Sequence, residues 1–515
     1  MPITAPGTAT PSAECRSACS ITRNPHTAYS GSPAAVAISS SRAFPFATGS
    51  PNPPAMKALA DPDRLLGEGL AAIRAQYAIP AGFPPEVLAE AEATKARAPT
   101  EHADWTQRDF VTLDPATSTD LDQAFVIEPA GADLILHYAL ADIGWFVPPG
   151  GAMEAEAWQR GLTLYLPDDR ARLYPAALSE AAASLLPDGP HPAIVASVRC
   201  AVDGTVMLAA VTRAVIRSRA KLAYESVDIS AVPHLADFAA RMKRSEDARG
   251  AARVDPPEQE VERAADGTYR LSFRPWLPSE TANAALSLAA NMAIADALFA
   301  AKTGLFREMA PPDERALRRL RNTARALGLS WPDNATLLQF ERTVDPKTRS
   351  GAGFQLAVRR AGGGAHYLPF QEGHVPWHAA LGATYTHATA PMRRLADRYV
   401  LEAVLEIANG RALPPACVDA FARLPKVMDA ADAREGAVDR AVIDLAEIAL
   451  LHGHEGQTFA AVVTDLDERG ARIQLCDRPV VSRVAAHRVA SGDDLRVRLV
   501  EADPIRRVLR FERVN

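Results

Sequence analysis

The chain is poor in features that would settle its class quickly. Cysteine is scarce: five in 515 residues, at 15, 19, 200, 417 and 476. The number is odd and the positions scattered, so no disulfide framework is implied and no disulfide-linked partner is expected. Cys15 and Cys19 lack a second ligand pair, which argues against zinc. A reducing, cytoplasmic setting fits best. No apolar run reaches the ~18 residues of a membrane span, so no membrane partner is expected. Positive charge is not in excess: the formal net charge is −6. That excludes a basic coat over the whole surface but leaves room for a locally basic channel. What remains is an ordinary globular composition, 48% apolar and 23% charged, with length for roughly three or four domains.

Residues 1–55 are rich in Ser, Pro, Ala, Thr and Gly and show no apolar period. Such a segment reads as disordered. No h-region follows the first residues, so a secretory signal is not indicated. Arg16, Arg23 and Arg42 with Glu14 as the only acid allow a transit peptide; the preferred reading is a start at Met56. Residues 56–100 predict a short helical domain built from "DPDRLLGEGLAAIRAQY" and "FPPEVLAEAEATKARA". Between 101 and 228, strand-like runs alternate with short helical pieces. Later come four helices: "ETANAALSLAANMAIADALFAAKTG", with Gly304 as a C-cap signal; "DERALRRLRNTARALG"; "TAPMRRLADRYVLEAVLEIANG", with Pro391 in its first turn; and a fourth over about 417–451. From 453 to 515 the chain reads as five or so antiparallel strands, a small OB-type barrel. Leu495, Val497 and Leu499 alternate with Arg496 and Arg498, which places the arginines outside.

The stretch "FVTLDPATSTDLDQAF" holds three aspartates, at 114, 120 and 122. Val111–Asp114 and Leu121–Ile127 read as strands, with a turn between them. Period two puts Asp120 and Asp122 on one side, and the turn brings Asp114 back beside them. Three ionised carboxylates repel unless a cation sits among them. Oxygen donors suit Mg²⁺ or Mn²⁺, and such an ion serves phosphodiester hydrolysis. An EF-hand is excluded, because the sixth position is Thr119 and the twelfth is Phe125. A capped, solvated turn is the alternative.

These aspartates, with "YALADIGWFVPPGGAMEAEAWQRGLTLYLPDDRARLYPAALSEAAASLLP", "RSRAKLAYESV", "AANMAIAD" and "YTHATAPMRRLADRY" in that order, resemble the ribonuclease II (RNB) family over about residues 101–450. The resemblance implies an α+β fold: a catalytic domain over 101–452 with a mixed sheet and long helices, then an OB-fold RNA-binding domain. A helical N-terminal segment stands where the family carries cold-shock domains. It implies a processive 3′→5′ exoribonuclease that uses Mg²⁺ to release 5′-mononucleotides from single-stranded RNA, working as a monomer. Asp114, Asp120 and Asp122 fall on metal-binding acids, and Arg393 on the arginine beside the scissile phosphate. Tyr165 and Tyr224 fall on tyrosines that contact the substrate.

Physical arguments extend the set. Arg393 and Arg394 would present guanidinium groups at a helix start, where phosphate is favoured. RNA grip would draw on Arg318, Arg319, Arg321, Arg359 and Arg360, and on Phe459 or His487 in the barrel. His387, Trp145 and Phe146 read as core. Asn291 reads as a group that either bonds the site or bridges helices. The sequence departs from the family at Gln123, which replaces a fourth acid; at Ala390, which replaces a serine; and at Ala284, near a frequent glutamate. No clamping aromatic is visible over 252–259. Gln123 motivates the alternative of a catalytically weak, RNA-binding homologue.

Overall fold

The computed structural model describes residues 57–59, 65–251, 258–263, 268–274, 276–345, 348–361, 363–467, 470–490 and 492–514. The 1–55 segment, most of 252–259, and the side chains of Arg359 and Arg360 lie outside the described residues. Cys200, Cys417 and Cys476 are free thiols.

The centre of the molecule is a sheet that curls back on itself. The strand Phe110–Asp114 pairs parallel with Val206–Ala223 and antiparallel with Gln123–Ala130. Asp133–Ala141 and Pro190–Cys200 follow, and Pro190–Cys200 pairs again with Val206–Ala223. Closure leaves these strands few free edges. Phe110, Phe125, Leu136, Tyr138 and Val195 are all buried in the main core.

The helix Pro278–Ala300 lies against this sheet. It is the one described helix long and apolar enough to cross a membrane by length and composition, although the sequence shows no single apolar run of that length. Its small and apolar side chains, from Ala282 to Leu298, are buried in the main core instead. It ends at Ala300, short of Gly304; the left-handed turn is made by Lys302 at φ 56°.

The helices Leu65–Gln76 and Pro85–Thr94 appear where the sequence places them. They do not bury a core of their own. Leu66, Leu70 and Ile73 pack with Tyr269, Val438 and Leu445, while Val87 and Ala91 join the main core. The helix Glu314–Ala326 is capped by Asp313, whose carboxylate accepts from the Ala316 amide at 2.6 Å. Leu320, Phe340 and Phe354 form a separate small apolar cluster behind it.

The long helix Pro415–Leu451 runs to the C-terminal barrel, and Ile448 and Leu451 enter that barrel's core. The barrel has five antiparallel strands. Leu495, Val497 and Leu499 point inward, and Arg496 and Arg498 face solvent as the alternation requires. Phe459 is a correction. It is 6% exposed, packs edge-on against Phe511 at 6.3 Å and belongs to the barrel core, so it offers no face to a base.

Candidate active site

Asp114 ends its strand beside Ala223, and its carbonyl accepts from the Tyr224 amide at 3.1 Å. Lys221 reaches across to the carbonyls of Ala116 at 2.7 Å and Ser118 at 2.5 Å. Those bonds fold the 115–119 turn over the strand end.

The next segment is not the start of a strand, as its pattern suggests. Leu121 donates its amide to Ser184 Oγ at 2.8 Å, and its carbonyl accepts from Leu185 at 3.0 Å. Tied to another loop, 120–122 stays irregular, and the ladder begins at Gln123. Asp120 and Asp122 are therefore placed by tertiary bonds rather than by strand alternation.

Asp122 is 2% exposed. Its Oδ1 accepts from the Met392 amide and its Oδ2 from Arg393 Nε, each at 2.7 Å. The segment that supplies both donors is a turn rather than a helix start: the helix runs Leu395–Ala408, with Arg394 at its N-cap. Pro391 and Arg393 precede it, because Thr163 and Leu395 exchange backbone bonds with Arg393 and Gly161, at 2.9 Å each. Those two bonds also bring Tyr165 beside Asp120. The Tyr165 hydroxyl donates to Asp120 Oδ2 at 3.0 Å, and Arg170 Nη1 lies 2.6 Å from Oδ1.

Among the described residues, no group of three or more His, Cys, Asp or Glu side chains stands ready as a metal cage. The reason is visible in the pairing: two of the three aspartates are turned onto arginines. The third tests whether an ion fits. Asp114 Oδ2 is buried and accepts no hydrogen bond. Burial pushes the Asp114 carboxyl up to about 7, with Asp122 and Asp120 adding to the rise against Arg393. Burial likewise pushes Asp122 up to about 6, although Arg393 and the Met392 amide oppose it. A buried, unpartnered carboxylate oxygen in the field of two more acids calls for a cation. The donors are all oxygen, so a hard divalent ion fits.

Other residues hold this centre in place. Gln123 bonds at both ends of its amide. Its Nε2 donates to the Thr389 carbonyl at 2.5 Å, and its Oε1 accepts from the Tyr138 hydroxyl. Ser287 donates to Thr389 Oγ1 at 2.8 Å. Asn291 is fully buried; its Oδ1 accepts from the Ala388 amide at 2.9 Å and its Nδ2 donates to the Tyr385 hydroxyl at 3.1 Å. Sheet, Ala-rich helix and arginine turn are thereby joined. Tyr224 accepts from Asn283 Nδ2 at 2.7 Å, close enough to Asp114 to feel its charge.

Arg394 is a correction: it is spent on Asp397, with Nη2 2.7 Å from Oδ2, while Asp397 itself accepts from the Ala390 amide at 2.8 Å. Trp145 and Phe146 are core, with Arg97 over the indole at 4.0 Å. His387 meets the Tyr367 hydroxyl at 2.8 Å. Arg318 and Arg319 are exposed on the Glu314–Ala326 helix; Arg318 faces Glu314 at 3.5 Å. Sequence reasoning missed Arg170, Lys221, Tyr138, Ser287 and Ser184. Nothing local signals them; an arginine within "DDRAR" looks like a solvated strand.

A closed sheet roofed by a buried helix, with aspartates and an arginine at one rim and a five-stranded barrel following, defines a two-part α+β protein with a charged centre. The model of the RNB domain matches residues 102–409, and the chain belongs to that family. The model of the RNase II-type exonuclease C-terminal S1 domain matches 457–514. Ribonuclease R of Thermotoga maritima is 26% identical over 437 residues, covering 78% of this chain and 61% of that protein. The chain thus spans less than two thirds of that relative's length. RNase R of Mycoplasma genitalium, solved with ribose-methylated single-stranded RNA, superposes with a TM-score of 0.78 at 18% identity, covering 87% of this chain and 78% of that one. Yeast Ssd1, described as a pseudonuclease, shares the fold at a TM-score of 0.61 and 15% identity, covering 88% and 58%.

Proposed function

We propose that the protein is a divalent-metal-dependent 3′→5′ exoribonuclease. It degrades single-stranded RNA processively to 5′-mononucleotides, with Mg²⁺ as the ion and Mn²⁺ as a substitute. The observation that carries this reading is the unpartnered Asp114 oxygen, buried beside the Asp122–Arg393 pair. Asp114, Asp120 and Asp122 would hold the ion. Bound there, it supplies Lewis acidity and a water of lowered pKa.

The chain's own groups do the rest. Arg393 keeps Nη atoms for a phosphate oxygen while its Nε stays on Asp122, so negative charge growing on the phosphoryl group meets a fixed guanidinium. Asp122 orients that arginine. Tyr165, held by Asp120, offers a ring at the mouth of the acidic centre, where a terminal base can stack. Tyr224 flanks Asp114 on the other side. Arg318 and Arg319 contribute charge to RNA farther out, an interaction that weakens with salt.

The test is a 5′-labelled oligoribonucleotide with Mg²⁺. Shortening from the 3′ end in single-nucleotide steps is expected; EDTA stops it, and the DNA of the same sequence resists. A second reading, RNA binding without hydrolysis, draws on Gln123, whose amide is committed to Tyr138 and Thr389 and adds no acid. Stable RNA binding with no shortening would decide for that reading.

A further inference from the structure

Asp114 keeps an unpartnered oxygen, whereas Asp122 is met by the Met392 amide and Arg393 Nε, and Asp120 by a second arginine. Asp120 is met on both oxygens: Arg170 Nη1 at 2.6 Å on Oδ1, and the Tyr165 hydroxyl at 3.0 Å on Oδ2. The other arm of Arg170 donates to Thr119 Oγ1 at 2.8 Å, so the guanidinium is fixed on the same turn. Arg170 has a second acidic neighbour, Glu180, at 3.2 Å. Glu180 in turn is matched by Arg172 at 2.5 Å. Arg172 also lies 3.6 Å from Asp169; the shorter of the two Arg170 contacts, at 2.6 Å, is the one to Asp120.

Gln123 points the same way. It stands where the resembled family carries a fourth acid, yet it is uncharged and both ends of its amide are taken. A pair of divalent ions needs anionic oxygens enough to offset their mutual repulsion. Here one acid is missing and another already holds a cation. Asp114, with its unpartnered oxygen, is acted on by Arg393, Asp122, Asp120 and Lys221, in that order.

We infer that the guanidinium of Arg170 takes the place of a second divalent ion, so that the centre binds a single ion, on the side of Asp114 and Asp122. This rests on the metal-nuclease reading above. A guanidinium is permanently charged, so the second positive charge needs no loading from solution. Dependence on Mg²⁺ concentration is then that of one site, without cooperativity.

The bland role for Arg170 is a buckle that holds the 119–120 turn. The two roles differ in sign. Removing a unit positive charge beside Asp120 leaves the centre more negative and tightens divalent binding, on the order of tenfold for charges several ångströms apart. Loosening a turn that carries a ligand weakens that binding.

The experiment counts Mn²⁺ bound to the full chain without RNA, by electron paramagnetic resonance of the free ion. The wild type is expected to bind a single ion. Arg170→Gln is expected to bind Mn²⁺ on the order of tenfold more tightly, and Arg170→Lys to match the wild type. Two ions on the wild type, or an Arg170→Gln affinity that is unchanged or weaker, overturns the inference. If Arg170→Gln does not fold, the wild-type count and the Arg170→Lys affinity still decide. The failures are separable: a folded chain that binds no Mn²⁺ and leaves RNA intact removes the nuclease reading, whereas one that shortens RNA while holding two ions removes only the role of Arg170.

Discussion

At the residue scale, the centre depends on one pair, a buried carboxylate and a partly exposed guanidinium. Asp122 binds Arg393 and the Met392 amide together, so it sets the aim of the arginine. Asp122→Asn keeps the shape but loses the charge. It is expected to lower kcat by at least about 10²-fold, the scale for losing a fixed electrostatic contact, while RNA binding persists in a gel-shift assay. Arg393→Ala should be harsher on stability, because removing one partner strands a buried carboxylate, at a cost of about 3–5 kcal/mol. The pH response follows from the same acids. In the folded chain Asp114 and Asp122 titrate at about 7 and about 6, above their unfolded value. The folded state therefore binds more protons than the unfolded state across that window, and metal-free stability falls as pH rises through it. A divalent ion replaces those protons. Its stabilising effect should grow as pH increases from about 5.5 to about 8, measured as the Tm difference between Mg²⁺ and EDTA. An equal difference at both pH values would speak against a site at these carboxylates.

At the element scale, the arginine turn owes its place to three neighbours: the Gly161–Thr163 backbone, Gln123 on the sheet, and Ser287 with Asn291 on the Ala-rich helix. Asn291→Ala leaves the Ala388 amide and the Tyr385 hydroxyl without a buried partner. A loss of about 1–3 kcal/mol is expected in denaturant melts, with activity reduced more than RNA binding. This scale also shows where sequence reading succeeds. The helix Pro278–Ala300 is legible because nearly every side chain is small or apolar, and Phe110–Asp114 because its residues are strand formers bounded by Pro115. The irregular 120–122 segment is not legible, since Ser184, more than sixty residues on, takes the backbone bond that would start a ladder. Nor is the late start of the Leu395–Ala408 helix, which follows from bonds to residues 161 and 163. Periodicity reports local preference; these departures come from partners far along the chain. Arg394 is different: its partner, Asp397, is only three residues on.

At the scale of the whole molecule, the long helix Pro415–Leu451 joins the RNB domain to the C-terminal barrel by burying Ile448 and Leu451 inside the latter. The barrel's alternation is legible in the sequence, but the direction of Phe459 is not, because strand pattern alone does not say which face is closed. Since Phe459 is core, Phe459→Ala should destabilise the barrel by about 3–5 kcal/mol, whereas Phe459→Leu should leave RNA affinity within about twofold, a change below ~0.5 kcal/mol. Equal loss of RNA affinity in both, with the fold intact by circular dichroism, would return Phe459 to a stacking role. Arg318 and Arg319 lie on the exposed face of the Glu314–Ala326 helix. Neutralising each should lower the slope of log affinity against log salt by about one.

The account as a whole claims that the aspartates and Arg393 form one hydrolytic centre acting at an RNA terminus. The direct measurement is product analysis of a single-stranded oligoribonucleotide incubated with Mg²⁺ and either the wild-type chain or Asp122→Asn. The account predicts 5′-mononucleotides accumulating from the wild type, with none from the variant although it still binds the strand. Internal fragments from the wild type, or mononucleotides released at an undiminished rate by Asp122→Asn, would contradict it.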